Sequence, residues 1–202
     1  MQQDNRAFQE MLRPARERLL HRRPEDIAEK TGAVFDGAAL RLTVLGRETF
    51  VSYPAFDPDP ALDGWSALLL LHYFDLADGS AVSQENVSFG GLREGLIRGT
   101  KFDRTAEEAL GRLLNGKTPE RVRAVCEALG AVFTGGRADL SAVFHLFPYY
   151  PITVNIWWDD DEFPASGKML VNASADHYLT IEDAVTAGEL LLNRLQQIDE
   201  IS

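Results

Sequence analysis

The chain has 202 residues, 45% of them hydrophobic and 25% charged, with a formal net charge of −11. A chain of this length fits one ordinary domain and buries about 70% of the surface its unfolded form exposes, so a core forms without disulfide or metal staples. The negative charge argues against nucleic acid as a partner, and the longest apolar run, Trp65 to Phe74, is too short to cross a bilayer, which argues against a membrane helix.

The amino-terminal residues Met1 to Arg6 carry no apolar core of a secretory signal, and the single cysteine, Cys126, leaves no internal disulfide framework. The expected compartment is the cytoplasm. Charge is unevenly spread: from Asp159 to Ser202 ten acids stand against Lys168 and Arg194, a net −8. The arginines at 13, 16, 18, 22 and 23 are expected to face solvent or to pair with that acidic half.

In chain order, Pro24-Glu25 opens a short helix stopped at Gly32. Leu40 to Leu45 and Glu48 to Tyr53 read as strands joined tightly at Gly46-Arg47, and Pro54 to Pro60 reads as a loop. Ala61 to Ala77 is apolar on most sides, the pattern of a buried central helix. Gly90 to Lys101 combines flexible backbone with three cations and is a weak candidate for an anion cradle. Thr105 and Glu108 match a capping box opening a helix over Ala106 to Asn115, and Thr118-Pro119-Glu120 opens the next, stopped at Gly130. Strands follow at Leu140 to Phe147, Ile152 to Trp158 and Lys168 to Ala173, and Thr180 with Asp183 caps a final helix.

These elements predict an α+β fold, with an antiparallel or mixed sheet packed by helices, in a single domain spanning 1–202. Pro24-Glu25 leading to Gly32-Ala33-Val34-Phe35 is echoed by Pro119-Glu120 leading to Gly130-Ala131-Val132-Phe133, each followed by strands and a further helix. The echo predicts two related halves, 24–77 and 119–197, with a cleft between them.

On the Ile152 to Trp158 strand, Ile152, Val154 and Ile156 share one face while Thr153, Asn155 and Trp157 share the other, which leads toward Asp159 to Glu162. The ligand-binding candidates are therefore Asn155, Trp157, Asp161 and Glu162, with His72, Tyr73 and His177. His72 lies among leucines and His145 on a strand, so both read first as structural, whereas His177 precedes a helix cap and is the first choice for proton transfer. Cys126 sits on an apolar helical stripe and reads as an inert thiol. The acidic run offers hard oxygen ligands, but neighbours in extended chain point apart, so a solvated turn is preferred over a metal site. No phosphate loop, dinucleotide fingerprint, GxSxG or HExxH is present, so neither a reaction nor a cofactor is specified.

The segment Trp65 to Tyr73, Val87-Ser88-Phe89, Pro148 to Pro151, Trp157, Asp161-Glu162-Phe163-Pro164, and Tyr178-Leu179 through Glu182-Asp183 resemble an uncharacterised prokaryotic family, domain of unknown function 3786. The resemblance spans nearly the whole chain after the first helix. Members occur largely in anaerobes and some carry an iron-sulfur module, which implies proximity to redox or one-carbon metabolism. With Cys126 alone this chain cannot hold a cluster through four thiolates.

The leading expectation is a cytoplasmic ligand-binding or accessory protein with a small-molecule ligand. One alternative is a divalent-metal-assisted hydrolase with Asp159, Asp161 and His177 as ligands and Glu162 as base. The other is an acidic interaction module that docks on a protein partner.

Overall fold

The computed structural model describes residues 5–201. The α+β expectation holds: six helices and two wholly antiparallel sheets fill the described residues. The helices are α1 (Asn5–Leu19), α2 (Pro24–Thr31), α3 (Gly64–Leu76), α4 (Gly95–Leu114), α5 (Pro119–Ala128) and α6 (Ile181–Ile201). The first sheet runs β1 (Val34–Phe35), β2 (Ala39–Val44), β3 (Arg47–Ser52), β4 (Pro58–Asp59) in that order. The second contains β5 (Asn86–Val87), β6 (Val132–Thr134), β7 (Leu140–Phe147), β8 (Tyr150–Trp157) and β9 (Ser166–Asn172), in the order β5-β9-β8-β7-β6. None of the described helices is long and apolar enough to cross a membrane.

Alternation decides which side of each sheet is covered. Leu40, Leu42 and Val44 of β2, Leu140, Ala142 and Phe144 of β7, and Ile152, Val154 and Ile156 of β8 all enter one continuous core. The helical layer supplies Leu69, Phe74, Leu110, Leu114, Val125 and Leu191 to the same core. Each fully buried leucine or isoleucine contributes about 1.5–3 kcal/mol from leaving water.

The order helix, helix, four antiparallel strands, helix occurs twice, as α1-α2-β1-β2-β3-β4-α3 and as α4-α5-β6-β7-β8-β9-α6. The two runs touch reciprocally. In the β2–β3 turn Leu45 and Gly46 both have positive φ, and Gly46 lies so close to Gly130, the stop after α5, that a Cβ on Gly130 would come 2.7 Å from the Gly46 Cα. In return, the β7–β8 turn covers Gly32, the stop after α2, where an added Cβ would lie 2.9 Å from Pro148 Cβ. The Leu45 N–H also donates to the His145 carbonyl at 3.1 Å, joining the ends of β2 and β7.

One helix boundary differs from expectation. α4 begins at Gly95, not Ala106, and the Thr105 hydroxyl donates to the Lys101 carbonyl one turn back instead of capping an end. Gly95 and Gly99 press the helix against the 3-10 turn Phe89–Gly91: a Cβ on either would meet the Phe89 carbonyl oxygen at 2.2 Å. That packing overrides the poor helix propensity of glycine. In the same packing the Asp103 carboxylate accepts the N–H groups of Phe89 and Gly90, each at 2.9 Å, so those two donors are engaged within the chain.

Candidate functional site

Helices α3 and α6 lie antiparallel, and each reaches back to the other's amino-terminal cap. At the start of α3, Asp63 accepts from the Ser66 N–H at 3.0 Å and the Ser66 hydroxyl at 2.7 Å, and Arg194 of α6 closes on the same carboxylate at 2.7 Å. At the start of α6, the Thr180 hydroxyl donates to Asp183 at 2.7 Å and accepts from the Asp183 N–H at 3.2 Å. His72 of α3 closes on the other Asp183 oxygen through Nδ1, at 2.8 Å. Burial works to raise the Asp183 pKa, but hydrogen bonds from His72 and Thr180 more than offset it, and the carboxyl ends below its ordinary value. Asp63 is lowered in the same way, with Ser66 and Arg194 overcoming its burial.

Beside the Asp183 end lies a cleft of about 260 Å³ lined by Leu76, Arg93, Glu94, Asp176, Thr180 and Ile181. The His72–Asp183 pair does not itself line this cleft; it is joined to the lining through Thr180, the cap partner of Asp183. The Tyr150 hydroxyl is buried and has no hydrogen-bond partner among the described residues. Burial raises its pKa, and the Asp183 and Asp176 charges raise it further, so the phenol stays protonated. A buried hydroxyl left without a partner costs about 1–3 kcal/mol.

His177 stands at the same end of the molecule, exposed, with Nδ1 2.7 Å from Asp78 and 3.0 Å from the Ser80 hydroxyl. Both partners use one ring nitrogen, whereas a Ser-His-Asp relay needs them on opposite nitrogens. The hydrogen bond from His177, helped by Ser80, pulls the Asp78 pKa down to about 2. Tyr73 is buried and fully engaged: its hydroxyl donates to the Thr31 carbonyl at 2.8 Å and accepts the Tyr149 N–H at 3.1 Å. Its ring stacks on Phe147 and Tyr178.

The remaining candidates lie elsewhere. Asn155 accepts the Ser141 hydroxyl at 2.6 Å on the sheet face opposite the helices, and Trp157, 37% exposed, ends β8 there. Asp161 and Glu162 are exposed in a turn organised by Asp160, whose carboxylate accepts the N–H groups of Glu162 and Phe163 at 2.9 and 2.7 Å. Trp157 pairs with Ser166 at one end of the sheet, while His177 follows the opposite end of β9. The eight residues of β8 put about 23 Å between those ends, so the seven candidates form at least two separate groups. Among the described residues no three His, Cys, Asp or Glu side chains are gathered to hold a metal ion. Cys126 is buried, and burial pushes its thiol up to about 12, the state of an inert packing residue.

The Thr180–Asp183 box is legible in sequence, but its pairing with His72, 111 residues away, is not. Nor does any local signal distinguish Tyr150 from Tyr149. The fold and the cleft define an α+β protein of two antiparallel sheets backed by helices, with a polar site where α3 ends and α6 begins. The chain belongs to the family described as domain of unknown function (DUF3786), whose model matches residues 23–194. Comparison with curated proteins and with solved structures gave no match.

Proposed function

We propose that this chain is a cytoplasmic ligand-binding or accessory protein whose site is the cleft lined by Arg93, Glu94, Asp176 and Thr180, with the His72–Asp183 pair behind Thr180. The observation that carries this reading is the buried Tyr150 hydroxyl, left unpartnered within electrostatic reach of Asp183 and of Asp176, which lines the cleft. Buried polar atoms are otherwise almost always satisfied, and an orphan within reach of the charge of a cleft-lining carboxylate is accounted for by a partner that arrives with a ligand or its water. The cleft suits a small polar molecule, since its lining offers the Arg93 guanidinium, the Glu94 and Asp176 carboxylates and the Thr180 hydroxyl. The link to redox or one-carbon metabolism rests on the family resemblance alone. The same reading takes residues 24–77 and 119–197 as copies of one unit, supported by the repeated element order and the reciprocal turn contacts.

The test is a thermal-shift screen of the purified chain against corrinoids, one-carbon cofactors, small polar metabolites and divalent ions, repeated with Tyr150→Phe. A ligand at one hundred times its Kd raises stability by about 2.7 kcal/mol, well within detection. The expected result is a compound that stabilises the natural chain and loses affinity for the Tyr150→Phe chain. If nothing stabilises the protein, or if every hit binds both chains equally, the reading fails.

A further inference from the structure

The two most exposed large apolar side chains among the described residues are neighbours: Leu96 at 81% and Ile97 at 83%, on the first turn of α4. They are held on a rigid platform. Gly95 and Gly99 fix this turn against Phe89 and Gly90 with no room for a Cβ, and Phe89 stacks edge-on against Phe102 at 4.7 Å. Ile97, Lys101 and Arg104 follow one another on a single helix face, and Arg93 precedes the turn. Arg93, Lys101 and Arg104 are exposed and make no ion pair among the described residues. A rigid aliphatic pair with Arg93, Lys101 and Arg104 close by and Glu94 adjacent, on a chain of net charge −11, is an exposed patch with a local excess of cations.

Its complement lies on the same chain. The turn Asp159 to Pro164 presents Asp159, Asp161 and Glu162 around Phe163, which is 65% exposed. This turn is also ordered, by the Asp160 hydrogen bonds described above. It sits beside Arg112, Asn115 and Gly116 at the carboxyl-terminal end of α4. Leu96 and Ile97 therefore sit at one end of the 20-residue helix and the acidic aromatic turn beside its last turns, about 20–25 Å further along the axis, so the two apolar centres cannot meet within one molecule.

We propose that they meet between molecules: the Leu96–Ile97 patch of one copy receives Phe163 and the acidic turn of a second copy. Each contact leaves one patch and one turn free, so the association is head-to-tail and extends to short chains or a closed ring. The charge pairing steers the encounter and weakens with salt, while the aliphatic and aromatic side chains supply the buried centre.

Sedimentation velocity on the full chain, from micromolar to several hundred micromolar and at low and high salt, tests this. The natural chain is expected to gain mass with concentration, less so at high salt. Ile97→Asp and Phe163→Ala should each weaken association by about tenfold or more, with melting curves unchanged because both side chains are exposed. The decisive arm is the mixture: an Ile97→Asp chain still carries a good turn and a Phe163→Ala chain a good patch, so together they form a one-to-one dimer and nothing larger. A chain that stays monomeric throughout, variants that associate like the natural chain, or a mixture no heavier than its components would each overturn the proposal. So would a monomer that binds phosphatidylserine-containing vesicles through Ile97, because the patch would then serve a lipid surface.

Discussion

The two ends of the α3–α6 pair are built alike and partnered differently. At one end Asp63 is half-exposed and held by the Arg194 guanidinium; at the other Asp183 is largely buried and held by the His72 imidazole. The difference teaches where an equivalent position is free to acquire chemistry. A guanidinium on an exposed carboxylate only fastens two helices. An imidazole on a buried carboxylate, whose cap partner Thr180 lines a cleft, fastens them and also ties the helix pair to the wall of that cleft.

A parallel contrast separates the two turn contacts, and it sets the largest expected effect. Gly130 faces backbone, whereas Gly32 faces the Pro148 and Tyr149 side chains, which have some freedom to yield. Gly130→Ala should therefore cost about 3 kcal/mol and Gly32→Ala about 2 kcal/mol in denaturant unfolding, each combining positive-φ strain with a clash. Gly37→Ala, at φ +100 with open space around it, is the control and should cost about 1 kcal/mol from strain alone. Equal losses at Gly130 and Gly37 would remove the case for backbone contact between the halves.

At the caps, Asp183→Ala should cost about 2 kcal/mol and Asp63→Ala about 1 kcal/mol, because the deeper carboxylate satisfies more buried donors. Removing the partner instead of the carboxylate keeps the order and shrinks the effect: His72→Ala is expected to cost about 1 kcal/mol and Arg194→Ala about 0.5 kcal/mol. If the Asp63 end proves the more costly, the contrast between a buried and a surface fastening fails.

Acid titration sharpens the same comparison with smaller differences. Both carboxyls are held below their unfolded values, so their contribution is complete above about pH 4 and drains away as the pH falls through the lowered folded values. Asp183→Asn should flatten that acid-side loss of stability more than Asp63→Asn does, read as midpoint shifts in urea at a series of pH values. Asp78 is also low, at about 2, but it is solvent-exposed, so Asp78→Asn should alter stability by only a few tenths, about 0.3 kcal/mol, and less in salt.

Much of the fold could be read in the residues. The Thr118 and Thr180 caps, the central helix around Leu68 to Phe74, and the inward row Ile152, Val154 and Ile156 all follow from local chemistry and period. Thr105 misled because a threonine hydroxyl bonds the preceding turn as readily as it caps one. The start of α4 was hidden because glycine signals a break locally, while at 95 and 99 its role is contact with a segment folded from elsewhere. The site was less legible still. His72, Tyr73 and His177 fall at one end of the second sheet and Trp157, Asp161 and Glu162 at the other, since alternation fixes which side a residue faces but not which end of a sheet folds beside which helix.

The short strand β5 carries a consequence for solubility. Asn86 and Val87 belong to the connection between α3 and α4, yet they pair with Asn172 and Val171 and so occupy the outer edge of β9. An open edge of that kind templates the addition of foreign strands, and the connecting segment thus works as a guard rail as well as a tether. Lengthening or nicking that tether would unmask the ladder on β9, and the first symptom should be fibrillar or amorphous precipitate instead of a lower melting point.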